Sequence, residues 1–197
     1  MHHIHQTEGF IIDSKNTGQA DRVLFVFTEK LGLVAAAAKS VREMRSKLRP
    51  HLQEGMQSRF SLVHGKSGWR VTGAEQVVSW FEILSGDSLK QSIFARVSFL
   101  LRRFLHGEEP HQELYNLLSH GFTFLRDLES EKKKLDAFEA LIVLRVLNLL
   151  GYVGKNSVAE SLWSIPYIWN RPLLGTVEAH YEEVLVHINR ALRESHL

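Results

Sequence analysis

Residues 56–72, MQSRFSLVHGKSGWRVT, decide the fold class. Met56, Ser58, Phe60 and Leu62 fall on one face of an extended chain, and Gln57, Arg59 and Ser61 fall on the other. A period of two marks a half-buried strand. His64-Gly65-Lys66-Ser67-Gly68 reads as a hairpin loop, and beyond it Trp69 and Val71 alternate with Arg70 and Thr72 as the returning strand. Upstream, Arg22 to Thr28 (RVLFVFT) is continuously apolar and β-rich, the pattern of a strand covered on both faces. Phe10-Ile11-Ile12 is a short apolar run closed by Asp13 and Ser14, and Asn16, Thr17 and Gly18 are turn formers. Gly32 opens a weaker run, Leu33 to Ala38, where the low strand propensity of alanine leaves a helix open. About five short strands with no room for crossover helices indicate a small antiparallel barrel or sandwich, and a five-stranded OB-type barrel is the natural candidate.

The period changes near Trp80. Ile93, Phe94, Val97, Leu100, Leu101, Phe104 and Leu105 step by three and four, a broad helical stripe ended by Gly107 and Pro110. Leu114, Leu117, Leu118, Phe124, Leu125 and Leu128 predict a second helix, with Gly121 as a weak point or close-packing site. Leu135 to Leu150 is apolar on most sides, as the central helix of a bundle is, and Gly151 suits its C-cap. Residues from Val153 to Gly175, with Pro166 and Pro172, read as irregular. Val177, Tyr181, Val184, Leu185, Ile188 and Leu192 predict one final amphipathic helix. Ser85-Gly86-Asp87-Ser88 reads as a joint and helix N-cap. The expected architecture is α+β, an OB-fold nucleic-acid-binding domain over residues 1–80 followed by an α-helical bundle domain over residues 81–197 for partner interaction.

Composition narrows the function classes. The chain has 197 residues, 44% hydrophobic and 23% charged, which is ordinary globular usage. Cysteine is absent, so disulfides, thiolate zinc sites and cysteine nucleophiles are excluded. No apolar run reaches the roughly 18 residues of a membrane span, and the N-terminus lacks a signal-peptide stretch; a soluble, cytoplasmic chain without membrane contact is expected. With 24 Lys+Arg against 22 Asp+Glu, bulk charge does not announce a nucleic-acid partner, so the distribution must.

The distribution is uneven. Lys39 to Arg49 (KSVREMRSKLR) holds Lys39, Arg42, Arg45, Lys47 and Arg49 against the single acid Glu43, a net +4 in eleven residues. Such a segment is a solvated loop in most proteins, but on an OB barrel it can neutralise the phosphates of a strand. Phe60, Trp69 and Trp80 are the candidate stacking aromatics. Lys132-Lys133-Lys134, preceded by Glu129 and Glu131, reads as a solvated turn between helices or as a receptor for an acidic peptide. Arg102-Arg103 and Arg145 are further basic candidates. Arg145 lies in a very apolar helix and needs a partner, for which a structural ion pair is expected.

Nothing argues for catalysis. His2, His3 and His5 favour a mobile terminus over a metal site, and no HExxH spacing appears. Gly65-Lys66-Ser67 lacks the earlier glycine of a phosphate loop, since position 60 is Phe60. No Gly-x-Ser-x-Gly elbow, GxGxxG or ordered carboxylate pair is present. No enzyme activity, metal or cofactor is expected.

Thr17-Gly18-Gln19-Ala20-Asp21-Arg22, Phe27-Thr28, Gly32, Ala38-Lys39, Arg45-Ser46-Lys47-Leu48-Arg49 and Leu52-Gln53 together resemble the RecO family of bacterial recombination mediators. Phe138-Glu139 and Leu149-Leu150-Gly151-Tyr152 resemble its helical segment, so the likeness runs over about residues 7 to 152. The resemblance implies an OB fold and a helical domain, binding of single- and double-stranded DNA, strand annealing, and loading of RecA with RecR onto DNA coated by single-strand binding protein (SSB), whose C-terminal tail docks on the helices. It carries DNA binding onto Arg22, Lys39, Arg42, Arg45, Lys47 and Arg49. Arg126, Lys132, Lys133 and Lys134 are candidates for the rim of a tail pocket. Two departures stand out. Ser40 and Val41 replace the usual Gly-Ala, and the four-cysteine zinc module of many members is missing between Val153 and Gly175, which puts the RecR contact in doubt. Trp163, Tyr167 and Trp169 occupy that region as a hydrophobic plug or a partner surface. The rival readings are a protein adaptor that binds SSB or RecR through its helices with little DNA binding, an RNA-binding OB protein, and, last, a nuclease.

Overall fold

The computed structural model describes residues 3–153, 162 and 167–195. The chain forms two compact units, Met1–Ser85 with Phe94–Gln112 and Gly86–Ile93 with Glu113–Leu197. In the first, β1 (Ile4–Thr17), β2 (Asp21–Thr28), β3 (Gly32–Ala38), β4 (Met56–Gly65) and β5 (Gly68–Ser79) close into a barrel in the order β1-β2-β3-β5-β4. β4 pairs with β1 to complete the ring. All pairs are antiparallel except β3 with β5, which run parallel through Ala36–Trp69 and Ala37–Arg70. This is the five-stranded OB-type barrel that the sequence indicates. The decisive stretch forms its hairpin, with Gly65 paired to Gly68 across Lys66 and Ser67.

Leu33 to Ala38 is a strand, which settles the helix alternative. Its ladder with β2 runs from Arg22–Ala38 to Thr28–Gly32. Val34, Ala36 and Ala38 point inward and are fully buried. Small side chains suit this wall because Trp69, in register with Ala36, takes up the interior volume beside it. Packing here overrides propensity. Ile11, Leu24, Val26, Phe60, Leu62 and Val71 complete the interior. A β-bulge in β1 places both Ile11 and Asp13 opposite consecutive β2 residues, Val26 and Phe25, with Ile12 as the extra residue.

Beyond the barrel come α1 (Trp80–Ile83) and α2 (Ser88–Phe104). Asp87, within the predicted joint, is the α2 cap: its Oδ1 accepts from the N–H groups of Leu89 at 3.0 Å and Lys90 at 3.1 Å. The remaining helices are α3 (Gln112–Asp127), α4 (Lys132–Leu149), α5 (Arg171–Ala179) and α6 (Tyr181–Glu194). α4 is central as expected: Leu135, Phe138, Leu141, Ile142, Leu144 and Leu147 are buried, and α5 and α6 both pack on it.

Two readings of the helical half need correction. The stretch to Gly175 is not irregular throughout, because α5 starts at Arg171. Pro172 sits in its first turn, where its missing N–H would have had no partner anyway, and Asn170 Oδ1 caps the helix by accepting from Leu173 N–H at 2.9 Å. Nor is the last element one helix from Val177. His180 divides it, its N–H turning back to Thr176 and Val177 carbonyls at 3.2 Å. Arg145, which the sequence says needs a partner, is buried in α4. It donates to the Leu162 carbonyl at 3.0 Å and the Ile168 carbonyl at 2.8 Å, and its guanidinium stands 4.7 Å from the Trp169 ring centre. Trp169 also packs on Phe138 at 5.1 Å and Phe124 at 6.1 Å, as a hydrophobic plug does. Trp163, like His2, lies outside the described residues.

Candidate nucleic-acid interface

Residues 39–55 leave the barrel between β3 and β4 and are pinned to it by three apolar side chains. Val41 is 2% exposed, Leu52 is fully buried, and Leu48 packs against the same core. Between the pins the backbone turns on itself: Glu43 N–H donates to the Ser40 carbonyl at 3.2 Å, and Ser46 N–H to that of Glu43 at 3.0 Å. Arg42 N–H reaches the Ala20 carbonyl at 2.9 Å, tying the loop to the β1–β2 turn. A short 3-10 turn, Arg49–His51, follows, with Pro50 as its second residue. Apolar residues inward and charged ones outward make this a fixed cationic loop. Lys39, Arg42, Arg45, Lys47 and Arg49 are all exposed, and Met44 among them is 95% exposed.

The charges fall into two groups. Lys39 Nζ lies 3.0 Å from Asp21 Oδ2, and Arg45 Nε lies 3.0 Å from Glu43 Oε2. Asp21 also accepts from Ser40 N–H at 2.8 Å. That backbone bond, then Lys39, holds the Asp21 carboxyl below the usual carboxylate range. Arg45, then Ser40, does the same for Glu43. Arg22, half-buried on β2, points to Asn16 Oδ1 at 3.2 Å and Gln53 Oε1 at 3.4 Å. Arg42, Lys47 and Arg49 have no side-chain hydrogen bond or ion pair among the described residues. The six sequence-selected cations therefore include three unpaired, two locally neutralised and one held by amides. Sequence reading passed over Asp21 and its role. Its role depends on the β2–β3 register, which brings residue 21 beside the end of β3.

The aromatic candidates are not surface groups. Phe60 is fully buried, Trp69 is 7% exposed and Trp80 is 3% exposed, so none offers a ring face to a base. Trp69 is covered edge-on by His5 at 5.1 Å and His64 at 4.9 Å. Among the described residues Phe99 on α2, at 69%, is the exposed Phe, Tyr or Trp of the first unit. Three residues on, Arg102 lies 3.4 Å from Asp13 Oδ2 and 3.7 Å from the Phe25 ring centre. The sequence marks Arg102 by charge, whereas Phe99 stands outside the apolar stripe read for this helix and was passed over.

In the second unit the basic candidates are partly spent. Arg126 makes a two-pronged contact with its neighbour Asp127, at 2.7 and 2.8 Å. Lys134 Nζ contacts Glu129 at 2.5 Å and Glu131 at 2.8 Å, and these bonds raise its pKa. Glu129 also takes Arg171 at 2.8 Å. Lys132 and Lys133 are exposed. Lys133 borders a cavity of about 500 Å³ with Asp136, Gly175, Glu178, Ala179 and Tyr181, so the polar rim there has mixed sign. Among the described residues no group of His, Cys, Asp or Glu is placed to hold a metal ion, and no helix is long and apolar enough to cross a membrane.

Residues 1–80 match the family profile described as recombination protein O N terminal. The chain is similar to the DNA repair protein RecO of Heliobacterium modesticaldum, 32% identical over 79% of this chain and 54% of that one. It is similar to RecO of Dehalococcoides mccartyi, 35% identical over 59% of this chain and 46% of the relative. RecO of Alkaliphilus metalliredigens is 29% identical over 76% and 58% of the two chains. The chain thus spans about half the length of the curated relatives it matches.

Proposed function

We propose that this chain, which belongs to the RecO family of DNA repair proteins, binds single- and double-stranded DNA through the cationic loop on its barrel and anneals complementary strands without covalent catalysis. In the same reading it acts in the cytoplasm, helping with RecR to load RecA onto SSB-coated DNA. The observation that carries the DNA reading is the loop itself, with five exposed cations on a backbone fixed to the barrel by Val41, Leu48 and Leu52. Annealing needs two polyanions brought together while their bases stay free. Phosphate contacts from long, exposed Lys and Arg side chains meet that need, since they neutralise charge without reading sequence. A surface stacking bases in succession would hinder it, and Phe60, Trp69 and Trp80 are withdrawn into the core. The partner reading rests on Lys132 and Lys133, exposed cations at the start of α4 suited to an acidic tail.

The test compares the wild type with Arg42→Glu/Lys47→Glu/Arg49→Glu in strand annealing and single-strand binding. Loss of both in a folded variant is the expected result. Binding that survives the charge reversal removes the loop as the DNA site. No DNA binding in either protein, with an SSB tail peptide still bound, makes the chain a protein adaptor.

A further inference from the structure

A groove of about 290 Å³ lies in the first unit, immediately after the cationic loop in the chain. Its floor is Ile11 and Ile12 at the β1 bulge, and its aromatic wall is Phe81, Phe94 and Phe99. Gly55 admits Phe81: a Cβ at this residue, whose φ is +77, would lie 2.2 Å from the Phe81 ring. Three features ask for a polar, flat occupant. Phe99 leaves 69% of its surface uncovered. Ser98 is 6% exposed, and its Oγ has no hydrogen-bond partner among the described residues, a state that ordinarily costs a folded protein stability. Asp13 and Glu54 bring two carboxylates to the same groove. Among the described residues Glu54 accepts only from Ser14 Oγ, at 2.6 Å, and Asp13 pairs with Arg102, so both keep acceptor capacity to spare.

We propose that this groove takes one unstacked nucleobase carrying an exocyclic amine, from a single strand held by the neighbouring loop. The proposal rests on the DNA-binding reading above. Phe99 supplies the stacking face, Asp13 and Glu54 accept from the amine, and Ser98 Oγ gains its missing partner. An acidic side chain would bring a further carboxylate to Asp13 and Glu54 and no donor for either. A purely aliphatic side chain would leave Ser98 and both carboxylates unanswered. Size agrees, because the volume is at the lower limit of small-molecule sites, about 300 Å³. Thymine, with no exocyclic amine, is the disfavoured base.

The test measures binding of twelve-nucleotide dC and dT strands, and of a duplex, by the wild type, Phe99→Ala, Phe99→Leu and Glu54→Gln. Position 99 is exposed, so its variants keep the fold. The wild type is expected to bind dC about tenfold tighter than dT. Phe99→Ala and Phe99→Leu lower dC affinity about tenfold and leave the duplex unchanged. Glu54→Gln narrows the preference while dT binding stays the same. Equal affinities for the two strands, or equal losses on strand and duplex, overturn the proposal. If the wild type binds no strand, the DNA reading fails, and deoxycytidine monophosphate titrated into the chain decides the groove by NMR. Shifts centred on the Phe99 ring that Phe99→Leu abolishes support it, and no shift overturns it. Shifts produced by an acidic apolar peptide but not by the nucleotide overturn it in favour of protein docking.

Discussion

The division of the loop cations predicts a gain of salt sensitivity on removing two acids. On a single strand the slope of log K against log salt is about −0.7 per neutralised phosphate. Arg42, Lys47 and Arg49 are unpaired among the described residues and give a slope of about −2. Lys39 and Arg45 are already matched by Asp21 and Glu43. Exchanging a carboxylate for a phosphate adds little net neutralisation. Asp21→Asn/Glu43→Gln frees both cations and moves the slope towards about −3.5. Between about 50 and 200 mM salt, the wild type should then weaken about 20-fold and the variant about 130-fold. Asn at residue 21 keeps an oxygen for the Ser40 N–H, so the turn survives. The assay is fluorescence anisotropy on one oligonucleotide across a salt series at neutral pH. Acid should mimic the variant. Both carboxyls have depressed pKa values, so their hold on the loop is complete above the ordinary carboxylate range and is lost as pH falls through the lowered values. A variant slope equal to the wild-type slope would refute the reasoning, since it would mean that Lys39 and Arg45 never meet phosphate.

Other outcomes follow from local geometry. Ser40 has φ 51, in the left-handed region, so Ser40→Gly should stabilise the barrel unit by about 1 kcal/mol in thermal melts. Gly55→Ala combines φ +77 with a clash on Phe81 and should cost about 3 kcal/mol, whereas Gly18→Ala, at φ +54 with nothing within 4 Å, should cost only about 1. Arg145→Ala leaves the carbonyls of Leu162 and Ile168 without their donor and should destabilise by about 3 kcal/mol in denaturant unfolding. Burial, then Asp136, Glu139 and Glu182, raises the Tyr181 pKa. The unfolded chain therefore loses this proton first, and stability falls as pH rises above about 10. Tyr181→Phe should flatten that part of a melting-temperature profile.

What was legible in the sequence was whatever depends on local alternation. The 56–72 hairpin and the apolar face of α4 could be read because side-chain period reports burial directly. The Ala35–Ala38 strand could not, because its stability comes from β2 on one side and from the volume of Trp69 in the interior. The break at His180 and the start of α5 at Arg171 depend on caps, and Pro172 serves as a start signal or a stop signal according to the turn around it. The candidate site divides in the same way. A run of cations is visible in one dimension, but which of them are available is not. Asp21 precedes Lys39 by eighteen positions and meets it only because β2 and β3 pair in one register. The Ser40 substitution gains meaning in the same place: the resemblance has glycine there, the backbone takes a positive φ, and the serine N–H is secured by Asp21. One carboxylate thus holds the turn in its strained form and masks a cation of the site. Stability of the loop and its strength towards phosphate are therefore opposed at Asp21, and relieving the turn with glycine while keeping Asp21 should steady the loop without releasing Lys39.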